Sequence, residues 1–223
     1  MKYDLPLHSQ TTPAWVETAF ADPLAFLIDH AFLEKKAANN ALDLLARWPD
    51  HSTQDEIEKW VTAMTGIARD ETAHLAQVTK LLARRGGSMG RAHSNPYAHE
   101  LRLMVRMGTQ GEIVDRLFVS ALIEARSCER FGVLAEALRE SEPELAAFYQ
   151  ALFSSELGHY KTFLKLAARI AKGRKTKISA ATEKAEREAR WQEMLAAEAR
   201  ILAEQTPGPR MHSGVTPPME PDR

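Results

Sequence analysis

Two short stretches hold the residue types with the most chemistry in them. Glu71-Thr72-Ala73-His74 and Glu156-Leu157-Gly158-His159 each place a glutamate three residues before a histidine, and they stand 85 residues apart. Positions three apart share a helix face, so each stretch aims one carboxylate and one imidazole at the same spot. Oxygen plus imidazole donors suit iron or manganese and do not suit thiophilic metals. One such match alone says little: in a chain with 8 His, about one is expected by chance, as a solvated pair.

The apolar faces on which these stretches fall give them weight. Asp22-Pro23 is an N-cap with proline at the first helical position, which predicts a helix from Pro23 to Arg47 ahead of Pro49. Its inner stripe, Leu27, Ala31, Ala38, Ala41 and Leu45, is interrupted by Glu34. A second helix is predicted from Ser52 to Arg85, closed by Gly86-Gly87, with Glu71 and His74 on the face of Ile57, Val61, Met64, Val78 and Leu82. A polar connection with a short helix from Asn95-Pro96 leads to a third helix, Gln110 to Arg139, where Glu124 interrupts Ile113, Leu117, Ala121, Cys128 and Phe131. The fourth, after Ser141-Glu142-Pro143-Glu144 and reaching about Lys172, has Glu156 and His159 beside Leu152, Phe163 and Leu166. The halves therefore repeat: a helix with one inward Glu, then a helix with Glu-x-x-His.

Buried charge decides what such a repeat is for. An unpaired buried carboxylate costs several kcal/mol, and no Lys or Arg lies on these stripes to neutralise four of them. Two divalent cations would, in the helix-bundle arrangement of one Glu from each of two helices and Glu-x-x-His from the other two. The predicted fold is all-α, a ferritin-like four-helix bundle with a long crossover and an extra C-terminal helix. The expected ligands are Glu34, Glu71, His74, Glu124, Glu156 and His159, around a di-iron centre with O2 as co-substrate. Glu129 and Asp29 are rivals for single places, although Glu129 lies well around its helix from Glu124. Asp70 is a candidate to fix the tautomer of a ligand histidine. Cys128, one turn beyond Glu124, either lines an oxygen pocket or is an inert buried thiol.

Composition limits the alternatives. The 223 residues are 44% hydrophobic and 26% charged with 11 Gly, 11 Pro and few aromatics, an ordinary globular make-up that favours helix. Net charge is -1, so any nucleic-acid surface is local. One Cys excludes an intrachain disulfide and a thiolate-only metal site. The N-terminus carries no signal-like apolar region and no run is long enough to span a membrane, so the expectation is a cytoplasmic protein with no membrane association. The expected organisation is a di-metal domain over 1–178, an accessory helix over 179–204 and a flexible tail over 205–223, where five prolines fall.

The segments LEKKAANNALDLL, ARDETAHLAQVTKLL, HSNPYAHEL, LIEARSCERF and SSELGHYKTFLKLA, in that order between Trp15 and Lys172, resemble the tRNA-(2-methylthio-N6-isopentenyladenosine) hydroxylase family. The resemblance implies the six ligands above. It also implies an O2-dependent monooxygenase that hydroxylates the isopentenyl group of a modified adenosine beside the tRNA anticodon. Two ferrous ions can reduce O2 to an oxidant strong enough for a C–H bond. The chain carries no Gly-rich dinucleotide fingerprint, so electrons must come from an external reductase. For the tRNA anticodon stem-loop as partner, two basic regions are candidates. Lys161, Lys165, Arg169 and Lys172 form an outward stripe on the fourth helix, and Arg84, Arg85 and Arg91 lie near the crossover. The competing readings are another ferritin-like oxidase or peroxidase, an iron-handling protein, and a metal-free interaction bundle.

Overall fold

The computed structural model describes residues 5–48, 52–173 and 179–215. Among these residues there are seven helices and no strand: α1 Pro13–Ala19, α2 Pro23–Leu45, α3 Gln54–Arg84, α4 Pro96–Leu103, α5 Glu112–Ala137, α6 Pro143–Gly173 and α7 Ala180–Ala203. Their starts are set by local chemistry. Asp22 accepts the Ala25 amide at 3.0 Å ahead of Pro23. Thr53, one residue later than the expected Ser52, forms a capping box with Glu56. Asn95 and Ser179 cap α4 and α7. After α3 the chain leaves through Gly86, whose φ of +79° is left-handed and favours glycine.

α2 packs on α3 and α5 on α6, each pair consecutive in the chain, and α3 faces α6. The core divides into two ends. One gathers around Trp60, Phe118, Phe163 and Trp191. The other gathers around Trp15, Phe26, Phe131 and Tyr149, with Leu27, Ala31, Val78 and Leu82 beside it. Along α3 and α5 the chain passes from the first end to the second, and along α2 and α6 from the second to the first. Hence α3 and α5 run parallel, and the long connection containing α4 returns the chain to the end where α3 began. α7 adds Trp191, Met194 and Leu195 to the first end, so the predicted accessory helix is built into the bundle's core.

Two expectations need correction. The first 21 residues, which read as irregular from sequence, contain α1, and it buries Trp15 completely with its ring under the Arg130 guanidinium at 4.3 Å. A two-turn helix holding one large apolar residue has too little periodicity to be read. The segment after α7 is not loose over its described part. Met211, His212 and Ser213 are buried. Arg130 donates to the carbonyls of Met211 and Ser213, and Asp29 accepts the Met211 amide at 2.8 Å. Its prolines lack donors, but the Met211 amide and the carbonyls of Met211 and Ser213 find partners on buried side chains of α2 and α5. Residues 216–223 lie outside the described residues.

Candidate metal centre

On each of the four long helices, the polar residues of the apolar face fall where one end of the core gives way to the other. On α2, Glu34 lies between Ala31 and Ala41; on α3, Glu71 and His74 lie between Ala68 and Val78. On α5, Glu124 precedes Phe131, and on α6, Glu156 and His159 lie between Leu152 and Phe163. All six are buried.

They converge as two groups of four. Glu34, Glu71, His74 and Glu156 offer atoms within 4.8 Å of one another, as do Glu71, Glu124, Glu156 and His159. Glu71 and Glu156 belong to both. The His74 Nδ1 atom lies 3.1 Å from Glu156 Oε1 and 3.6 Å from oxygens of Glu34 and Glu71. None of these contacts has hydrogen-bond geometry, and the nitrogen has no hydrogen-bond partner. A buried nitrogen ringed by carboxylate oxygens without bonding to one is arranged as a ligand. His159 Nδ1 sits 2.7 Å from Glu71 Oε1 and 3.0 Å from Glu156 Oε2. The donor set, four carboxylates and two imidazoles, fits two hard-to-borderline divalent cations.

The electrostatics agree. Burial, then the charge of Glu156, pushes Glu71 up to about 8. Burial raises Glu34, and it raises Glu124 well above the usual carboxylate range. Burial disfavours the cationic imidazole, but the close carboxylates of Glu156, Glu34 and Glu71 hold His74 at about 12, and those of Glu156 and Glu71 hold His159 at about 11. Burial opposes ionisation of Glu156 too, but the approach of the two histidines outweighs that and keeps it far below the usual range. Protons thus take the place that cations would fill.

The neighbouring residues sort themselves. Asp70 Oδ2 stands 3.5 Å from His159 Nε2, on the side of the ring away from the carboxylates, and is also held by Arg69. Cys128 is buried, donates weakly to the Phe153 carbonyl at 3.4 Å, and is pushed by burial to about 12, the profile of an inert thiol. Both rivals are engaged elsewhere. Glu129 accepts from Thr11 and Arg126, and Asp29 from His93 and Met211. His30 is a residue that the sequence reading misses: its Nε2 lies 2.6 Å from Glu34 Oε1, and burial lowers it to about 4, so it is a neutral donor to that carboxylate. The signal is present, since His30 sits one turn before Glu34 on the same stripe.

A cavity of about 50 Å³ reaches the cluster, touching Glu34, Glu71, Glu124 and Glu156 at its inner end. Leu33, Ala37, Ile123, Phe131 and Met211 make its walls apolar. Lys36, Asn40 and Arg102 also line it. None of the described basic residues expected to bind RNA does. Lys161, Lys165 and Arg169 are exposed, the last two beside Asp55 and Glu58. Arg84 and Arg85 pair with Glu144 and Glu142, and Arg91 is exposed. The side chain of Lys172 lies outside the described residues. No helix among the described residues is long and apolar enough to cross a membrane.

Comparison with known proteins gives this arrangement relatives. The chain is 42% identical to a tRNA 2-(methylsulfanyl)-N(6)-isopentenyladenosine(37) hydroxylase of Pseudomonas putida, across 74% of this chain and 76% of the relative. A protein of the same name from Salmonella typhimurium is 29% identical over the same shares. Among solved structures, a Synechococcus protein described as having aldehyde deformylating oxygenase activity superposes with a TM-score of 0.78 and 29% identity, across 96% of this chain and 98% of that one, and it places the bundle among ferritin-like folds. A profile of the family tRNA-(MS[2]IO[6]A)-hydroxylase (MiaE) matches residues 2–213, and with it the helices, the cluster and the cavity fall into one frame: this chain belongs to that family.

Proposed function

We propose that this protein is a tRNA-modifying monooxygenase of the cytoplasm, hydroxylating the isopentenyl group of 2-methylthio-N6-isopentenyladenosine next to the anticodon. The observation that carries the reading is the apolar cavity ending on a six-residue carboxylate–histidine cluster, in a chain of this family. Glu34 and His74 would hold one iron ion and Glu124 and His159 the other, with Glu71 and Glu156, common to both four-residue groups, available to both. Bound there, two iron ions with O2 supply the oxidising power that a C–H bond demands.

The chain's own residues do the rest. His30 donates to Glu34 and fixes which carboxylate oxygen remains available to metal. The Asp70 carboxylate, 3.5 Å from His159 Nε2, favours the proton on that nitrogen electrostatically, which leaves Nδ1 to face the carboxylates. Leu33, Ile123 and Phe131 exclude water and accept a slim aliphatic group; the cavity is several times larger than one water needs, but narrow. Prenyl chemistry suits that shape, with the base left outside. The two reducing equivalents come from a separate electron donor.

Nucleoside mass spectrometry of tRNA tests this directly. In a strain that makes the hydroxylated nucleoside, deleting the gene is expected to leave only the unhydroxylated prenyl form. Re-expression restores the product, and His159→Ala does not. An unchanged nucleoside profile on deletion refutes the substrate. Conversion of a long-chain aldehyde by the purified iron-loaded protein, with no tRNA product, would favour the chemistry described for the Synechococcus relative.

A further inference from the structure

The cavity that reaches the cluster adjoins a second hollow. Lys36, Asn40 and Arg102 line both. The outer hollow is a cleft of about 390 Å³ between α2, α4 and α5. Its charged lining is Lys36, Arg47, Arg102 and Arg116 against the single acid Asp43. This is an excess of three positive charges at one spot on a chain whose net charge is -1.

The cations are only partly neutralised. Arg47 and Arg116 share one carboxylate, Glu112, at 3.9 and 2.9 Å. Arg102 is exposed, and no carboxylate pairs with it among the described residues. Lys36 spends two of its protons on His93, on Nδ1 at 2.9 Å and on the carbonyl at 3.2 Å. Lys36 and Arg102 line the same cleft, two cations facing one gap. Exposed apolar side chains stand next in the chain to two of the cleft's cations, and another touches Arg116. Trp48, next to Arg47, is 52% exposed; Leu103, next to Arg102, is 66% exposed; and Met107 packs its sulfur 3.3 Å from Arg116. Cations with exposed flat apolar surface, rather than cations alone, match a single strand of nucleic acid, which offers phosphates and unstacked bases together.

We infer that this cleft is where the RNA strand docks: Lys36, Arg47, Arg102 and Arg116 take the phosphates flanking the target nucleotide, and Trp48 stacks on a neighbouring unpaired base. The inference rests on the proposed tRNA activity and gives that activity its docking face. It also replaces the two basic regions read from sequence. Of their described residues none lines the cavity; Lys165 and Arg169 stand beside acids, and Arg84 and Arg85 pair with them. A duplex cannot deliver a base side group into so narrow a cavity, whereas an extended loop strand lying in the cleft can.

The test uses the full-length, iron-loaded protein and a fluorescein-labelled anticodon stem-loop RNA, read by anisotropy over a series of salt concentrations. Lys36→Glu, Arg102→Glu and Arg116→Glu are each expected to weaken binding about tenfold or more and to flatten the log–log salt slope by about 0.7 for each phosphate no longer neutralised. Trp48→Ala is expected to weaken binding about tenfold while leaving the salt slope unchanged. Lys161→Glu, Lys165→Glu and Arg84→Glu should shift affinity less than about twofold. Iron content and thermal melting of each variant show that it is folded. Wild-type binding with no loss in the cleft variants, or equal loss in the α6 variants, overturns the inference and leaves the proposed activity standing. Absence of RNA binding by the wild type at low salt removes the proposed activity itself. Cleft variants that keep RNA affinity but slow reduction of the iron by a plant-type ferredoxin would give the cleft to an acidic protein and overturn the inference.

Discussion

At the scale of single residues, the six converging side chains are not equivalent. Glu71 and Glu156 belong to both four-residue groups, whereas the other four each belong to one. Anaerobic Fe(II) loading followed by metal analysis is therefore expected to give almost no iron in Glu71→Ala or Glu156→Ala, and about one ion per chain in His74→Ala or Glu124→Ala. Equal stoichiometry in all four variants would contradict the shared-ligand geometry. The protonation pattern makes a second prediction. A group whose pKa is raised on folding stabilises the native state below its unfolded value, and that contribution is lost as pH rises through the folded value. Glu71 moves from 4.5 to about 8, and His74 and His159 from 6.5 to about 12 and 11. The metal-free protein should therefore melt at progressively lower temperature as pH rises from about 6 to 9. Glu156, held low, acts in the opposite sense, but its contribution is lost only in strong acid. Metal inverts the trend, because protons compete with the ions for the same atoms and loading releases them. Calorimetry at several pH values, with and without Mn(II), reads both slopes.

Elements show what the sequence disclosed and what it hid. The four long helices were legible because each carries caps and a sustained apolar stripe; Asp22-Pro23 and Gly86-Gly87 mark boundaries that the structure keeps within a residue or two. Glu34, Glu71, His74, Glu124, Glu156 and His159 were legible because a carboxylate on an apolar face is anomalous. What was hidden depends on contacts across long separations. α5 is buried nearly all round, so Arg126 and Arg130 point away from the cluster into a second polar network, where Arg126 meets Glu198 of α7 at 2.8 Å and Glu129 at 2.6 Å. Nothing local in α5 predicts that α7 and residues 205–215 cover its other face. The ordered strap formed by residues 205–215 can be tested. Arg130→Met leaves two buried carbonyls without donors, at about 1–3 kcal/mol, or roughly 2–12 °C in Tm for a chain of this size. A Cβ on Gly214 would stand 2.0 Å from the Gln205 carbonyl oxygen, so Gly214→Ala should displace the strap and open residues 205–215 to proteolysis. A strap equally resistant in both variants would show that neither contact holds it. The strap is also tied to the cleft: Lys36 bonds His93, His93 bonds Asp29 at 2.7 Å, and Asp29 bonds the Met211 amide.

For the whole molecule, the feature with the widest consequence is the placement of the cluster where the two ends of the core meet. An ordinary bundle is weakest at its tips and strongest at mid-length. This one has a continuous polar cross-section at the waist, four helices thick, with apolar packing above and below. Without ions, the waist is held by shared protons; ions bound there would rivet it. Hydrogen exchange on the metal-free protein is therefore expected to begin at mid-helix amides around Ala37, His74, Ser127 and His159, ahead of the flanking turns. Metal loading should restore the usual order, in which helix ends exchange first. The ions would then be mechanical fasteners as much as reagents, and a cell short of iron would hold a bundle that loosens from its middle.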